Sequence, residues 1–383
     1  MKSLITLLVA GLLAITAHAQ TAPEPAAVTI IEDLGLRQAA EPLSKNPRWQ
    51  PSKVVVIVPD RIETVVPDYV ERLKRAAGDV ELVLERSGEW VLGEDTLAGT
   101  DGVIGLCLPP TMANADEDLL WLHNYSVGMD RCKGLSEEQM DSVIFTNNKR
   151  LSGPTIAEHT IAMLMSITRG LPSYTAAQAE RRWDTSPFAE QRFGEIKGKT
   201  LLVVGLGGIG TEIAWRAHGL GMRVMATRNS SRSGPDFVEY VGLSDELHEL
   251  AGKADVVVNA LPLTPKTTGI FDEAFFKAVK PGAIFLSVGR GKSTVTADLI
   301  AALESGKLYG AGLDVTDPEP LPEDSPLWLI DRVIITPHVS TGGADSVRRM
   351  TTIAIENLRR YVAGEPLLNL VDIRKGYCCL LYT

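Results

Sequence analysis

The stretch Leu201–Gly210 reads LLVVGLGGIG. Its first four residues are apolar and partly β-branched, which predicts a short buried strand. Gly205, Gly207 and Gly210 then follow with the spacing G-x-G-x-x-G. The next segment, Thr211–Leu220, carries apolar residues at helical spacing. A strand, a glycine turn and a helix in this order are typical of a dinucleotide-binding unit.

Each glycine of this turn has a physical task in holding a pyrophosphate. Gly205 allows the tight turn, Gly207 leaves room for phosphate against the backbone, and Gly210 lets the helix pack close to the strand. The N-terminus of the helix offers N–H groups and a positive dipole end to the phosphates. We therefore expect cofactor contacts along the whole turn, at Gly205, Leu206, Gly207, Gly208, Ile209 and Gly210.

Length and composition set the broad class. The chain has 383 residues, of which 45% are hydrophobic and 22% are charged, and these values are ordinary for a globular enzyme. The formal net charge of −10 argues against a nucleic-acid partner. No group of His, Cys, Asp and Glu has the spacing of metal ligands, so we predict no metal. A bridge between Cys107 and Cys132 would require an oxidising compartment, and the sequence leaves it undecided.

Residues 1–19 have the pattern of a secretory signal peptide. Met1-Lys2-Ser3 supplies one positive charge, Leu4–Ala17 is apolar but short for a membrane span, and Ala17-His18-Ala19 fits a cleavage site. We therefore expect a periplasmic or secreted mature chain that begins at Gln20 and has no membrane partner. An uncleaved amphipathic anchor is the alternative. A start site misassigned upstream would make the protein cytoplasmic.

Short strands that alternate with helices predict an α/β fold with two parallel sheets. Six strand candidates fall in residues 151–335, which we expect to form a doubly wound, Rossmann-type coenzyme domain. Five more fall in residues 50–150. The last helix, Ala344–Ala363, has no strand left to accompany it, and we expect it to cross back onto this first sheet. The sequence thus predicts a discontinuous, flavodoxin-like domain formed by residues 50–150 and 336–376.

The residues after the second Rossmann strand bear on the choice of cofactor. NAD enzymes usually present an acidic residue there to the ribose hydroxyls, but none occurs from Ile213 to Gly234. Arg228 and Arg232 are suited to pair with a 2′-phosphate, and Ser230 to donate a hydrogen bond to it. The segment therefore predicts NADP rather than NAD. A solvated loop without a ligand is the alternative.

Three polar side chains follow three later strands. Arg290, Glu319 and His338 each lie just beyond an apolar run, and ligands of such sheets bind at the carboxyl ends of the strands. A guanidinium can bind a carboxylate bidentately, and an imidazolium can protonate a forming alkoxide. A carboxylate orients such an imidazole and stabilises its charged form. Together these groups suit hydride transfer to a 2-keto acid.

The chain also resembles a known family, the D-isomer-specific 2-hydroxyacid dehydrogenases, over most of residues 53–376. Several motifs in the same order carry the resemblance. They are Ser126-Val127-Gly128-Met129-Asp130, Ala157-Glu158-His159, Gly205–Gly210, Leu261-Pro262-Leu263-Thr264-Pro265, Gly289-Arg290-Gly291, Leu313-Asp314-Val315 with Glu319-Pro320, and Thr336-Pro337-His338.

The resemblance implies a role for each matching residue. The discontinuous domain would bind substrate, with backbone N–H groups of Val127 and Gly128 on its carboxylate. Arg290 would bind that carboxylate and polarise the carbonyl, His338 would be the acid and base, and Glu319 would support it. The remaining cofactor contacts would come from Leu261, Pro262, Thr267 and Val288, with Asp314 on the nicotinamide amide. Family members are usually homodimers.

Two functions therefore remain open from the sequence. The first is an NADP-dependent reductase of small 2-keto acids, such as glyoxylate or hydroxypyruvate, that forms D-2-hydroxy acids. The second is an exported protein that binds or senses a ligand or cofactor and has lost turnover. The presence of Arg290, Glu319 and His338 together favours the reductase, because a binding protein has no need of a proton donor.

Overall fold

The computed structural model describes residues 22–86, 88–186, 192–229 and 231–374. The predicted signal peptide, residues 1–19, lies outside this part of the chain, and so do the last two residues of the predicted discontinuous domain. Within the described residues the chain forms two β-sheets, and every strand pair in both is parallel. None of the described helices combines the length and apolar character that a membrane span requires.

The first sheet is built from five of the described strands in the order β2-β1-β3-β4-β5, which is the flavodoxin-like order. The strands are β1 (Lys53–Ile57), β2 (Glu81–Glu85), β3 (Gly102–Gly105), β4 (Trp121–Asn124) and β5 (Ile144–Asn147). The helices along this part of the chain are α1 (Pro25–Leu34), α2 (Asp60–Val65), α3 (Tyr69–Ala77), α4 (Glu94–Leu97), α5 (Pro109–Asn114) and α6 (Glu137–Ser142).

The second sheet follows two helices, α7 (Gly153–Arg169) and the shorter α8 (Leu171–Ala179). Its strands are β6 (Thr200–Val204), β7 (Arg223–Thr227), β8 (Tyr240–Gly242), β9 (Val256–Asn259), β10 (Ala283–Ser287), β11 (Leu308–Leu313) and β12 (Val333–Ile335). The helices that accompany these strands are α9 (Gly208–Gly219), α10 (Leu247–Ala251), α11 (Glu273–Ala278) and α12 (Thr296–Glu304), and α13 (Ala344–Ala363) follows the last strand.

The strand order of the second sheet is β12-β11-β10-β9-β6-β7-β8. The order reverses between β6 and β9, so the ligand crevice of a doubly wound sheet is expected at their carboxyl ends. The Rossmann-type fold is confirmed, but the described residues form seven strands in this sheet, one more than the six predicted. The strand that the sequence did not reveal is β8. It is a three-residue edge strand, as β12 is, but its sequence Tyr-Val-Gly lacks the apolar run Val-Ile-Ile that reveals β12.

Apolar residues on alternate sides of β6 build the two cores of the second sheet. Leu201 and Val203 face a core shared with α7 and α9. Leu202 and Val204 face the opposite core, where phenylalanines of α11 and β10 pack edge to face. Burial on both sides explains why β6 reads as an unbroken apolar run. The strand thus holds the glycine turn on a rigid base.

Helix α13 packs on the first sheet, although it follows the last strand of the second. Ile355 and Leu358 lie in one core with Val54 of β1, and Tyr361 stacks on Trp121 of β4 with ring centroids 4.8 Å apart. Over the described residues the chain therefore crosses between the sheets twice, after β5 and after β12.

Residues 25–49 precede the predicted first domain, yet they pack against it. Leu36 lies in a small core with Ile353 and Leu368, and the Trp49 indole donates to the Tyr361 carbonyl at 2.7 Å. This segment therefore covers the outer side of α13. The segment is rich in alanine and proline but also carries apolar residues that pack in this core.

Candidate active site

The glycine turn follows β6 and has the geometry that a dinucleotide requires. Gly205 has φ 101°, and a Cβ there would lie 2.9 Å from the Ala260 carbonyl oxygen. A Cβ on Gly210 would overlap the Gly205 carbonyl oxygen. Both positions therefore need glycine for the fold itself. At Gly207, by contrast, a Cβ would meet nothing within 4 Å, so the space that this glycine leaves opens away from the protein.

Gly207 is also the N-cap residue of α9, and no side chain caps this helix. The first N–H groups of the helix face the open space, and the helix dipole favours an anion there. The cradle therefore fits a pyrophosphate. Across the crevice, Leu261 N is held by Asn259 Oδ1 at 3.1 Å, and Thr267 Oγ1 donates to the Pro262 carbonyl at 2.7 Å. These bonds fix the segment after β9, and buried Val288 follows β10 next to it.

The predicted 2′-phosphate residues follow β7. Arg228 Nη1 donates to the Ser233 carbonyl at 2.7 Å. Arg232 Nη1 lies 2.7 Å from Glu246 Oε2 and 2.9 Å from the Tyr240 hydroxyl. The third predicted residue, Ser230, lies outside the described residues.

Glu246 is an acidic partner of Arg232 that the sequence did not reveal. It lies beyond the interval without acidic residues, 213–234, and reaches Arg232 only through the fold. The Tyr240 hydroxyl donates to it at 2.6 Å. This bond, the Leu243 backbone N–H and Arg232 together hold the pKa of Glu246 below its ordinary value. Arg232 is thus an exposed arginine that already has an acidic partner.

The predicted acid/base pair is brought together. His338 Nδ1 lies 3.1 Å from Glu319 Oε2, and each side chain is just over one-third exposed. The other carboxylate oxygen of Glu319 accepts from Thr316 N at 3.1 Å. His338 has φ 55° in the left-handed region, and its backbone N–H donates to the Asp314 carbonyl at 2.9 Å. This bond therefore fixes the backbone at His338, and the carboxylate of Glu319 orients its imidazole.

Asp314 lies beneath this histidine, and its side chain is 1% exposed. Its carboxylate accepts bonds from Thr336 Oγ1 at 2.7 Å, Val339 N at 2.9 Å and Ser340 N at 3.1 Å. Asp314 therefore shapes the segment that carries His338, a task that the sequence did not suggest. The contact that the resemblance implied, with a nicotinamide amide, stays a prediction.

Arg290 follows β10 and meets the first unit of the fold. Its Nε and Nη2 donate to Asp130 Oδ1 at 3.1 and 2.9 Å, and its Nη1 donates to the Gly289 carbonyl at 2.9 Å. Burial would raise the pKa of Asp130, but the Arg290 charge and hydrogen bonds outweigh it and hold this pKa below its ordinary value. Asp130 lies in one of the motifs that carry the family resemblance, but the sequence suggested no role for it.

The loop of Val127 and Gly128 lies against the same guanidinium, since a Cβ on Gly128 would overlap Arg290 Nη2. The Asn147 amide donates to the Val127 carbonyl at 2.6 Å, and the Asn124 amide donates to the Gly128 carbonyl at 3.1 Å. Both carbonyls are thus turned into the protein.

Cys132 ends this loop and forms a disulfide with Cys107. The bridge that the sequence left open is therefore present. It joins the end of the loop to the segment just after β3. In the part of the chain that the structure describes, no group of three or more His, Cys, Asp and Glu residues is arranged to hold a metal ion.

Comparison with known proteins shows the family to which the chain belongs. The model of the D-isomer specific 2-hydroxyacid dehydrogenase NAD-binding domain matches residues 161–340. A glyoxylate reductase of Korarchaeum cryptofilum is 32% identical over 281 residues, which are 71% of this chain and 82% of that protein. The chain belongs to the D-isomer specific 2-hydroxyacid dehydrogenase family. It is therefore an NAD(P)-dependent oxidoreductase that acts on CH–OH donors.

Solved structures of the family agree with the fold. A family protein from Aeromonas salmonicida matches with a TM-score of 0.68 and 30% identity, over 84% of this chain and 99% of that one. An NADPH-dependent glyoxylate/hydroxypyruvate reductase of Sinorhizobium meliloti, solved with NADP and sulfate, matches with a TM-score of 0.67 and 26% identity, over 85% of this chain and 100% of that one.

Proposed function

We propose that this family member reduces small 2-keto acids, with glyoxylate and hydroxypyruvate as its first candidates, to D-2-hydroxy acids with NADPH. The observation that carries the proposal is the joint position of Arg290 and the His338–Glu319 pair at the carboxyl ends of neighbouring strands. The names of its relatives, which include hydroxypyruvate and glyoxylate reductases, support this substrate class.

Each residue has a defined task in this reaction. Arg290 binds the substrate carboxylate and polarises the keto oxygen, and the N–H groups of Val127 and Gly128 hold the carboxylate from the other side. His338 gives its proton to that oxygen in reduction and takes it back in oxidation. Glu319 accepts from His338 Nδ1 and so presents Nε2 to the substrate.

The cofactor would rest on the glycine turn, with Leu261, Pro262, Thr267 and Val288 along its other side. When bound, its nicotinamide supplies the hydride. The open space at Gly207 supports this placement. Arg228 and Arg232 would face a 2′-phosphate, and relatives solved with NADPH or NADP support that preference. Arg232 would have to exchange part of its contact with Glu246 for that phosphate.

The alternative function, an exported binding or sensing protein without turnover, is less well supported. Such a protein would need the glycine turn and Arg290 to bind its ligands, but it would not need an oriented acid/base pair. Here the imidazole is held by Glu319, and the backbone N–H of His338 is bonded to the carbonyls of Asp314 and Thr336. An arrangement this specific is expected where a proton is transferred.

We also propose that the protein is exported and dimeric. The signal-peptide pattern of residues 1–19 and the Cys107–Cys132 disulfide support an oxidising compartment. The family resemblance supports the dimer, because members of this family are usually homodimers. Fractionation of cells and sedimentation of the purified protein test these two points separately.

The experiment that tests the function uses the chain from Gln20 onward. NADPH absorbance is followed with a panel of 2-keto acids, and NADH is run in parallel. We expect NADPH oxidation with a small keto acid, and a loss of roughly 10³-fold or more in the Arg290→Ala and His338→Ala variants. If NADPH binds but no keto acid of the panel causes its oxidation, the sensing function would be favoured instead. Faster turnover with NADH would overturn the NADP preference.

A further inference from the structure

Arg290 is held at all three of its guanidinium nitrogens. Asp130 Oδ1 accepts hydrogen bonds from Nε and Nη2, and the Gly289 carbonyl accepts one from Nη1. Asp130 belongs to the unit of the first sheet, whereas Arg290 and Gly289 belong to the second. The ion pair therefore crosses between the two units at the residue proposed to bind substrate.

The two side chains are 24% and 28% exposed, so water screens their interaction only in part. A charge-assisted pair of this kind fixes the orientation of the planar guanidinium as well as its position. An arginine with one hydrogen-bond partner would still populate several rotamers. With bonds on both sides, the plane is set before any substrate arrives.

The loop that carries Asp130 is itself held in place. Its carbonyls at Val127 and Gly128 accept from Asn147 and Asn124, and Cys132 at its end is bridged to Cys107. Asp130 is therefore a fixed point and not a mobile surface acid. The absence of a side chain at Gly128 lets the guanidinium approach this loop.

We infer that Asp130 is a positioning residue, which holds the Nε and Nη2 edge of Arg290 so that the guanidinium is already aligned for the substrate carboxylate and keto oxygen. The inference rests on the proposed function, because it assigns Asp130 a part in the same reaction. Asp130 does not itself touch the substrate. Its effect on catalysis passes through Arg290 alone.

The contrary possibility is that Asp130 competes with substrate for the arginine. Its carboxylate would then occupy the edge that a substrate carboxylate needs, and its removal would strengthen anion binding. The two possibilities predict opposite changes, so one pair of variants, Asp130→Ala and Asp130→Asn, separates them.

The test measures oxalate binding by calorimetry in the presence of NADPH, together with kcat and KM for the best keto acid. We expect both variants to bind oxalate about tenfold more weakly and to lose about 10²-fold in kcat/KM, mainly in kcat, because a misplaced guanidinium fails in the transition state. Asp118→Asn, an exposed acid of the same unit, is the matched control and should behave as the unmodified protein.

A double-mutant cycle then asks whether Asp130 acts through Arg290. In an Arg290→Lys background, Asp130→Ala should change kcat/KM by less than about threefold. Tighter oxalate binding in Asp130→Ala, or the same 10²-fold loss in both backgrounds, would overturn the inference. An unmodified protein that turns over no keto acid would overturn the proposed function, and oxalate binding would still decide the role of Asp130 because it requires no turnover.

Discussion

The imidazole of His338 and the carboxylate of Glu319 form a pair with Nδ1 3.1 Å from Oε2. The two residues follow different strands, β12 and β11, and are joined only at the carboxyl edge of the sheet. The second oxygen of Glu319 is bonded to Thr316 N, so this carboxylate is fixed relative to its own loop. Glu319 thus holds the imidazole of His338 in a fixed orientation.

Replacing Glu319 by Gln should lower kcat by roughly 10²-fold and change KM little, because the amide cannot stabilise a charged imidazole as a carboxylate does. Steady-state kinetics with the preferred keto acid measure the effect. Glu323→Gln, an exposed acid of the same segment, is the control and should keep full activity. If kcat fell equally in both variants, or in neither, Glu319 would have no specific role in the mechanism.

Gly207→Ala should weaken NADPH binding at least about tenfold without unfolding the protein. A Cβ there meets no protein atom within 4 Å, so the free energy of unfolding should change by no more than about 1 kcal/mol. Fluorescence titration with NADPH and urea unfolding measure the two quantities.

Two other glycines of the same helix serve as controls for this experiment. Gly219→Ala also projects into open space and should leave both NADPH binding and stability intact. Gly210→Ala would overlap the Gly205 carbonyl and should destabilise the fold. Unchanged NADPH affinity in Gly207→Ala would show that no phosphate rests at this turn.

The buried His123 should make stability depend on pH. Burial lowers its pKa from 6.5 to about 4, and its ring nitrogens bond Thr146 Oγ1 and Asn148 Oδ1. Between these two values the unfolded chain binds a proton that the folded chain does not. The free energy of unfolding should therefore fall by about 3 kcal/mol as the pH decreases through this window.

Urea unfolding at a series of pH values measures that slope. In the variant His123→Gln the dependence in this window should flatten, because the remaining carboxylates with depressed pKa, such as Asp130, lose their contribution only at lower pH. An equal slope in both proteins would assign the effect to other groups.

Reduction of the Cys107–Cys132 disulfide should cost about 3 kcal/mol of stability, since the bridge closes a loop of 25 residues in the unfolded chain. Urea unfolding with and without dithiothreitol measures the cost. The double variant Cys107→Ser/Cys132→Ser should have the lower stability under both conditions. A stability that is the same before and after reduction would contradict a bridge in solution.

The sequence by itself determined the elements whose signal is local. An unbroken apolar run makes β6 a strand buried on both faces, and the glycine spacing after it allows few other conformations. Arg290, Glu319 and His338 could be proposed because parallel strands bring their carboxyl ends to one edge. The family could be inferred separately, from the resemblance carried by several motifs in the same order along the chain.

Only the tertiary structure decided the contacts between distant segments. Asp130 meets Arg290 across 160 residues, Glu246 reaches Arg232 from beyond the edge strand β8, which has no apolar run, and Asp314 is turned inward to hold the histidine segment. Such pairings depend on how two sheets and their loops approach each other, and no local periodicity encodes that approach. The sequence thus specified the reacting groups, and the fold determined what holds them in place.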